Sequence, residues 1–139
     1  LEELAIELAC QRMTQEDLVQ LEQRQEIFCR AIRSGSPMEM AESDEAFHDV
    51  IYLSTGNDKL VQMLNNLREQ MYRYRLEYIK DEDKRQVLLV EHEHILAALK
   101  GRNIAEAKTA MREHIDNQEI TVSRNIKEKE QEKPVRGRK

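Results

Sequence analysis

Apolar residues recur at alternating steps of three and four along almost the whole chain, and the rhythm is interrupted at only five places. That spacing is the period of an α-helical face and does not suit a strand, whose side chains alternate every second residue. The interruptions carry the residues that stop and start helices. Thr14 with Asp17 forms a capping pattern, Ser34, Gly35, Ser36 and Pro37 make a break, and Pro37 suits a first helical turn. In the third break, Ser54, Thr55, Gly56 and Asn57, the glycine suits a left-handed end and the asparagine caps the next helix. Lys80 to Asp83 and Lys100 to Asn103 supply the other two. With only 4 Gly and 2 Pro, nothing else breaks the pattern.

The expected fold is therefore all-α, an antiparallel bundle of about six helices joined by short connections. The first helix runs to about Met13, the second to Ser34, and the third from Pro37 to about Leu53. The fourth is the most regular. Leu60, Leu64, Leu67, Met71, Tyr74 and Tyr78 form one unbroken seam along it. The fifth carries Val87 to Leu99, and the sixth starts after Asn103. The expected bundle spans residues 1–126, and 127–139 reads as a charged tail.

Composition narrows the function classes. A net charge of −5 gives no basic footprint for nucleic acid, apart from Arg136, Arg138 and Lys139 at the very end. Aromatic content of 4% with no Trp offers no stacking platform for bases. No apolar run is long enough to span a membrane, and no secretory signal is visible. Cys10 and Cys29 lack CxxC spacing and read as two buried thiols in a reducing, cytoplasmic compartment. The chain begins at Leu1, already within a helical pattern and without Met, so it reads as a piece of a longer protein.

The chemistry sits on the inward faces. Asp44 and His48 are one turn apart among Met40, Ala41, Phe47 and Ile51. His92 has Leu88 and Leu89 one turn before it and Ile95 and Leu96 one turn after, and His114 follows Ala110 and Met111. His94 lies nearer the edge of its apolar face. Taken singly, each histidine reads as a core residue satisfied by a hydrogen bond. Together with a buried carboxylate they also suit one divalent cation, because imidazole and carboxylate form a mixed nitrogen and oxygen shell for zinc or nickel, with manganese or iron as alternatives. Catalytic patterns are absent: there is no His-Glu-x-x-His, no glycine-rich phosphate loop and no nucleophile elbow. His92, Glu93 and His94 do not make a zinc helix, since residues two apart diverge. No enzyme is expected.

The strings Asp44 to His48, Ser54 to Asn57, Glu91 to Leu99 and Ala110 to Ile115, in that order, resemble the FCD domain, the effector-binding half of FadR-type regulators in the GntR family. The opening residues Leu1 to Ala9 share the likeness, which covers roughly residues 1–120. Six helices would fit the VanR-like subgroup. The resemblance implies a metal held by Asp44, His48, His92 and His114, the same four that the face analysis selects. Some members of the family lack these ligands and bind acyl-CoA instead; this chain keeps all four, which argues against that branch. The resemblance further implies a small carboxylate effector, a homodimer, no membrane partner, and DNA binding through an N-terminal winged helix-turn-helix that is not in this sequence. An arginine beside the metal would hold the effector's carboxylate through two hydrogen bonds. Arg75, four after Met71 and three before Tyr78, flanks the inner seam and is the first choice; Arg68, one heptad earlier, is the second. Metal sensing and a purely dimerising role are the alternatives.

Overall fold

In the computed structural model, residues 1–119 are described, and all regular structure among them is helical. The helices are α1 (Glu2–Arg12), α2 (Gln15–Ser34), α3 (Pro37–Ser54), α4 (Asp58–Asn66), α5 (Arg68–Ile79) and α6 (Glu82–Lys100), followed by α7 over residues 104–119. The charged tail expected from residue 127, and the end of the bundle at 126, lie outside the described residues.

The breaks fall at the expected residues for the expected reasons. Thr14 and Asp17 complete a reciprocal capping box on α2. Ser36 caps α3 ahead of Pro37. Gly56 takes φ +63°, where an L side chain is strained, and Asn57 accepts from Leu60 N–H to start α4. Asn103 does the same for α7 through Glu106 N–H.

The expected fourth helix is two helices. Its seam breaks at Leu67, where the backbone opens to ψ −1° and Leu67 N–H bonds Leu64 C=O, three residues back. Asn65 and Asn66 precede the break; asparagine is a poor helix interior residue because its side chain competes for hydrogen bonds. Here Asn65 Oδ1 is taken by Arg68 at 2.8 Å. The consequence is a change of face. Leu60 and Leu64 are buried on α4, but Leu67 and Tyr74 are each 40% exposed; on α5 the seam's Tyr78 stays buried and is joined by Arg75 and Ile79.

α3 is the central rod and packs against α1, α2, α4 and α5. It has little solvent face to spare, so the polar Asp44 and His48 are buried along with its apolar residues. α2 runs antiparallel to α3, since Leu18 and Leu21 meet Phe47 and Ile51 while Phe28 meets Met40 and Ala41. The core divides into three apolar groups. One lies around Ile6, Phe47, Ile95 and Met111, one around Phe28, Tyr78 and Leu88, and one around Tyr52, Leu60 and Leu64. Cys10 is buried and Cys29 only half-buried, so the expectation of two buried thiols holds for the first alone; both are free.

Candidate metal centre

Asp44 and His48 from α3, His92 from α6 and His114 from α7 meet in the interior, all four at 0% exposure. One donor atom from each lies within 4.8 Å of every other. The rings are wedged among the apolar groups. His92 stacks on Phe47 at 4.1 Å and meets Phe28 at 4.6 Å, and His48 stands edge-on to Phe47. His48 and His114 are nearly parallel with centroids 5.2 Å apart. Packing of this kind locks ring orientation before any ion arrives.

The surrounding hydrogen bonds decide which nitrogens face inward. Gln25 Nε2 donates to Leu89 C=O at 3.4 Å, which turns Gln25 Oε1 toward His92. That oxygen only accepts, so His92 Nδ1, at 3.0 Å, carries the proton and Nε2 is a lone pair. Glu91 Oε1 accepts from His114 Nδ1 at 3.2 Å, and Asn117 Nδ2 holds the other carboxylate oxygen at 2.8 Å. His114 Nε2 is therefore a lone pair as well. Partners on the outer nitrogen are what fix the ligating tautomer in metal sites.

The inward atoms are short of positive charge. His92 Nε2 lies 2.8 Å from Asp44 Oδ1, and His48 Nε2 lies 3.3 Å from the same oxygen and 3.3 Å from His114 Nε2. Yet Asp44 Oδ1, Asp44 Oδ2 and His92 Nε2 have no hydrogen-bond partner, because the short approaches have the wrong angles. Burial raises Asp44, but the imidazoles of His48 and His92 override it, and the carboxyl is held well below the usual carboxylate range. Burial pushes His92 down from 6.5. It also pushes His48 down to about 3, helped by the positive charge of Arg75. An acceptor facing an acceptor at 2.8 Å is an arrangement that a cation bound to both would satisfy. The donor set fits such an ion.

Glu91→Gln removes the charge behind His114 and should weaken metal binding about 10–100-fold, the usual cost of losing an outer-shell partner, as read by competition with a chromophoric chelator. In the metal-free protein, the unfolded chain takes up protons below 6.5 that folded His48 refuses down to about 3. Stability should therefore fall as pH drops from 6.5 toward 3, by up to ~1.4 kcal/mol per pH unit for each such histidine. Asp44, with its lowered pKa, acts in the same direction at the acid end. Urea unfolding in chelator at pH 7 and pH 5 checks this.

Arg75 adjoins the cluster. It is 4% exposed, with Nε 3.7 Å from Asp44 Oδ2 and Nη2 3.1 Å from the Tyr52 hydroxyl. Burial opposes its charge; Tyr52, Asp44 and Glu2 more than offset that and hold it above its ordinary value. Arg75 also lines a cleft of about 380 Å³ with Glu2, Leu64, Met71, Tyr74 and Ile115. Arg68 is placed elsewhere. It pairs on the surface with Glu45 and Asp49 and is not brought to the cluster or the cleft. Arg73 and His94 are exposed. The residues that sequence reasoning passed over are Gln25, Tyr52 and Glu2. Gln25 had a signal, a polar residue between Leu21 and Phe28 on an inward face. Tyr52 had one too, lying one turn after His48 on the same face, whereas Glu2 had none.

The FCD domain family matches residues 1–117. The Uxu operon transcriptional regulator of Escherichia coli (strain K12) is 31% identical over 122 residues, covering 84% of this chain and 48% of the relative. The uncharacterized HTH-type transcriptional regulator YdhC of Bacillus subtilis (strain 168) is 25% identical over 118 residues, covering 84% and 53%. The chain thus spans about half the length of the curated relatives it matches. Among solved structures, E. coli McbR/YncC superposes with a TM-score of 0.72 at 21% identity, over 84% of this chain and 61% of that one, a likeness of fold.

Proposed function

The chain belongs to the FCD domain family, the domain of GntR-type regulators, and on that premise we propose that it senses a small organic acid. In this reading Asp44, His48, His92 and His114 hold a divalent metal, zinc or nickel first, and Arg75 binds the effector's carboxylate beside it. The observation that carries the reading is the convergence of four donors at zero exposure, with both Asp44 oxygens and His92 Nε2 unpartnered and a buried arginine beside them.

A bound divalent ion supplies positive charge and open coordination positions for a carboxylate or hydroxyl oxygen. The protein's own parts do the rest. Gln25 and Glu91 keep Nε2 of His92 and His114 free of protons. Phe28 and Phe47 exclude water and fix the rings. Arg75 offers a planar fork that matches a carboxylate, from a site dry enough to strengthen the pairing.

The parent regulator is proposed to be a cytoplasmic homodimer that binds DNA through a winged helix-turn-helix. An effector that prefers one arrangement of the bundle would shift the spacing of the DNA-binding domains. A coupling of ~1–3 kcal/mol gives a several-fold to hundredfold change in operator affinity. The complete burial of the four donors also favours a metal-sensing reading, in which the ion itself is the signal.

The test has two arms. Metal analysis of the purified chain, with calorimetric titration of small carboxylic acids into the metal-loaded form, should show one ion per chain and an acid that binds. Operator affinity of the full-length regulator should then change with acid at constant metal. A response to metal titration alone selects the metal-sensing reading, and no response to either removes the sensing role.

A further inference from the structure

We propose that Glu2 is an internal carboxylate ligand of Arg75 and Tyr52, and that an incoming small carboxylic acid competes with it for them. The inference rests on the proposed effector role and adds to it how binding is communicated to α1.

Two donors converge on one oxygen of Glu2. The Tyr52 hydroxyl donates to Oε1, and Arg75 Nη2 stands 3.9 Å from the same atom. The other oxygen, Oε2, is buried and has no partner. The internal ligand is thus half satisfied, and an orphaned buried acceptor is a net cost to the closed arrangement. The 3.9 Å approach is an ion pair without a hydrogen bond. A free acid is not tethered to a helix and can present both oxygens to the guanidinium fork.

The position is also accessible. Glu2 and Arg75 line the same cleft of about 380 Å³, whose other walls include Leu64, Met71 and Ile115. Tyr52 and Asp44 do not line it, so Arg75 is the bridge between cleft and metal cluster. An acid entering the cleft meets Glu2 already on its binding group.

Within the first turn of α1, Glu2 faces Arg75 and Tyr52, whereas Glu3 pairs with Arg112 on the surface. From Ala5 onward the helix is anchored in the core. Displacing Glu2 therefore perturbs the first turn and leaves the core intact.

The test uses the full chain loaded with nickel and titrated with acetate and succinate, with acetamide as the uncharged control. Variants are Glu2→Gln and, as the neighbour, Glu3→Gln. Succinate should bind Glu2→Gln at least about fivefold tighter than wild type, while Glu3→Gln stays within about twofold and acetamide binds none of them. In wild type, exchange of the Ala5 amide, which bonds Leu1 C=O in the first turn of α1, should speed up on adding succinate, a readout that needs no variant. Equal or weaker binding by Glu2→Gln, or unchanged exchange while succinate binds, overturns the competition and leaves the effector reading standing. If neither acid binds wild type or variant although nickel is held, both fall together.

Discussion

Nickel or zinc is expected to raise the thermal midpoint of the wild-type chain by roughly 10 °C, and Asp44→Asn to erase that rise. A ligand at a thousandfold excess over its Kd stabilises the folded state by about 4 kcal/mol, and in a domain of this size each kcal/mol moves the midpoint by a few degrees. Asp44 is the only anionic donor in the cluster, and its Oδ1 is the atom nearest two of the three imidazoles. Asparagine is nearly the same size, so the substitution opens no cavity; it removes the charge and turns one acceptor oxygen into an NH2 donor. Asp44→Asn also alters the metal-free protein, because Arg75 loses a neighbour at 3.7 Å. The informative quantity is therefore the metal-induced shift in each protein, read by scanning calorimetry with and without chelator. Equal shifts in wild type and variant would place the ion somewhere other than this cluster.

Arg75→Ala should be the most destabilising single substitution on α5, by ~3–5 kcal/mol, because it leaves buried carboxylates without their counter-charge. Arg75 has Asp44 on one side and Glu2 with Tyr52 on the other, at 4% exposure. In the presence of metal the loss should shrink, since the ion neutralises Asp44 from the opposite side. A cycle with Asp44→Asn should show non-additivity for the same reason. Arg75→Lys separates charge from shape. It keeps the positive charge and so most of the stability, but it lacks the planar fork and should lose acid binding. Urea unfolding of the wild type and these variants, then acid titration of Arg75→Lys, checks both parts. Retained acid affinity in Arg75→Lys would mean that the fork is not the recognition element.

Much of this centre was readable from spacing. Asp44 and His48 share a face because they are one turn apart, and that face is inward because Met40, Ala41, Phe47 and Ile51 surround them. His92 and His114 were identified by the same rule, as was the exclusion of His94 from the inner face. Arg68 shows where the rule ends. It stands one heptad from Arg75 on the same helix, α5, but as that helix's first residue, beside the break at Leu67, it is taken by Asn65, Glu45 and Asp49 on the surface, while Arg75 two turns further on is buried. Asn65 and Asn66 before the break are the local signal for it, which the apolar repeat by itself does not contain.

By itself, then, the amino-acid order determined most of the helix boundaries and caps, though not the break at Leu67, and the inward direction of Asp44, His48, His92 and His114. Those properties are governed by interactions reaching about one helical turn, and a local pattern contains them fully. Only the tertiary structure decided that four donors from three helices come within 4.8 Å, that Gln25 and Glu91 set the tautomers, and that Glu2 lies on Arg75. These depend on how separate rods are offset and rotated, which is set by the simultaneous packing of all their apolar faces across dozens of residues of sequence separation, and no short stretch of sequence contains that information.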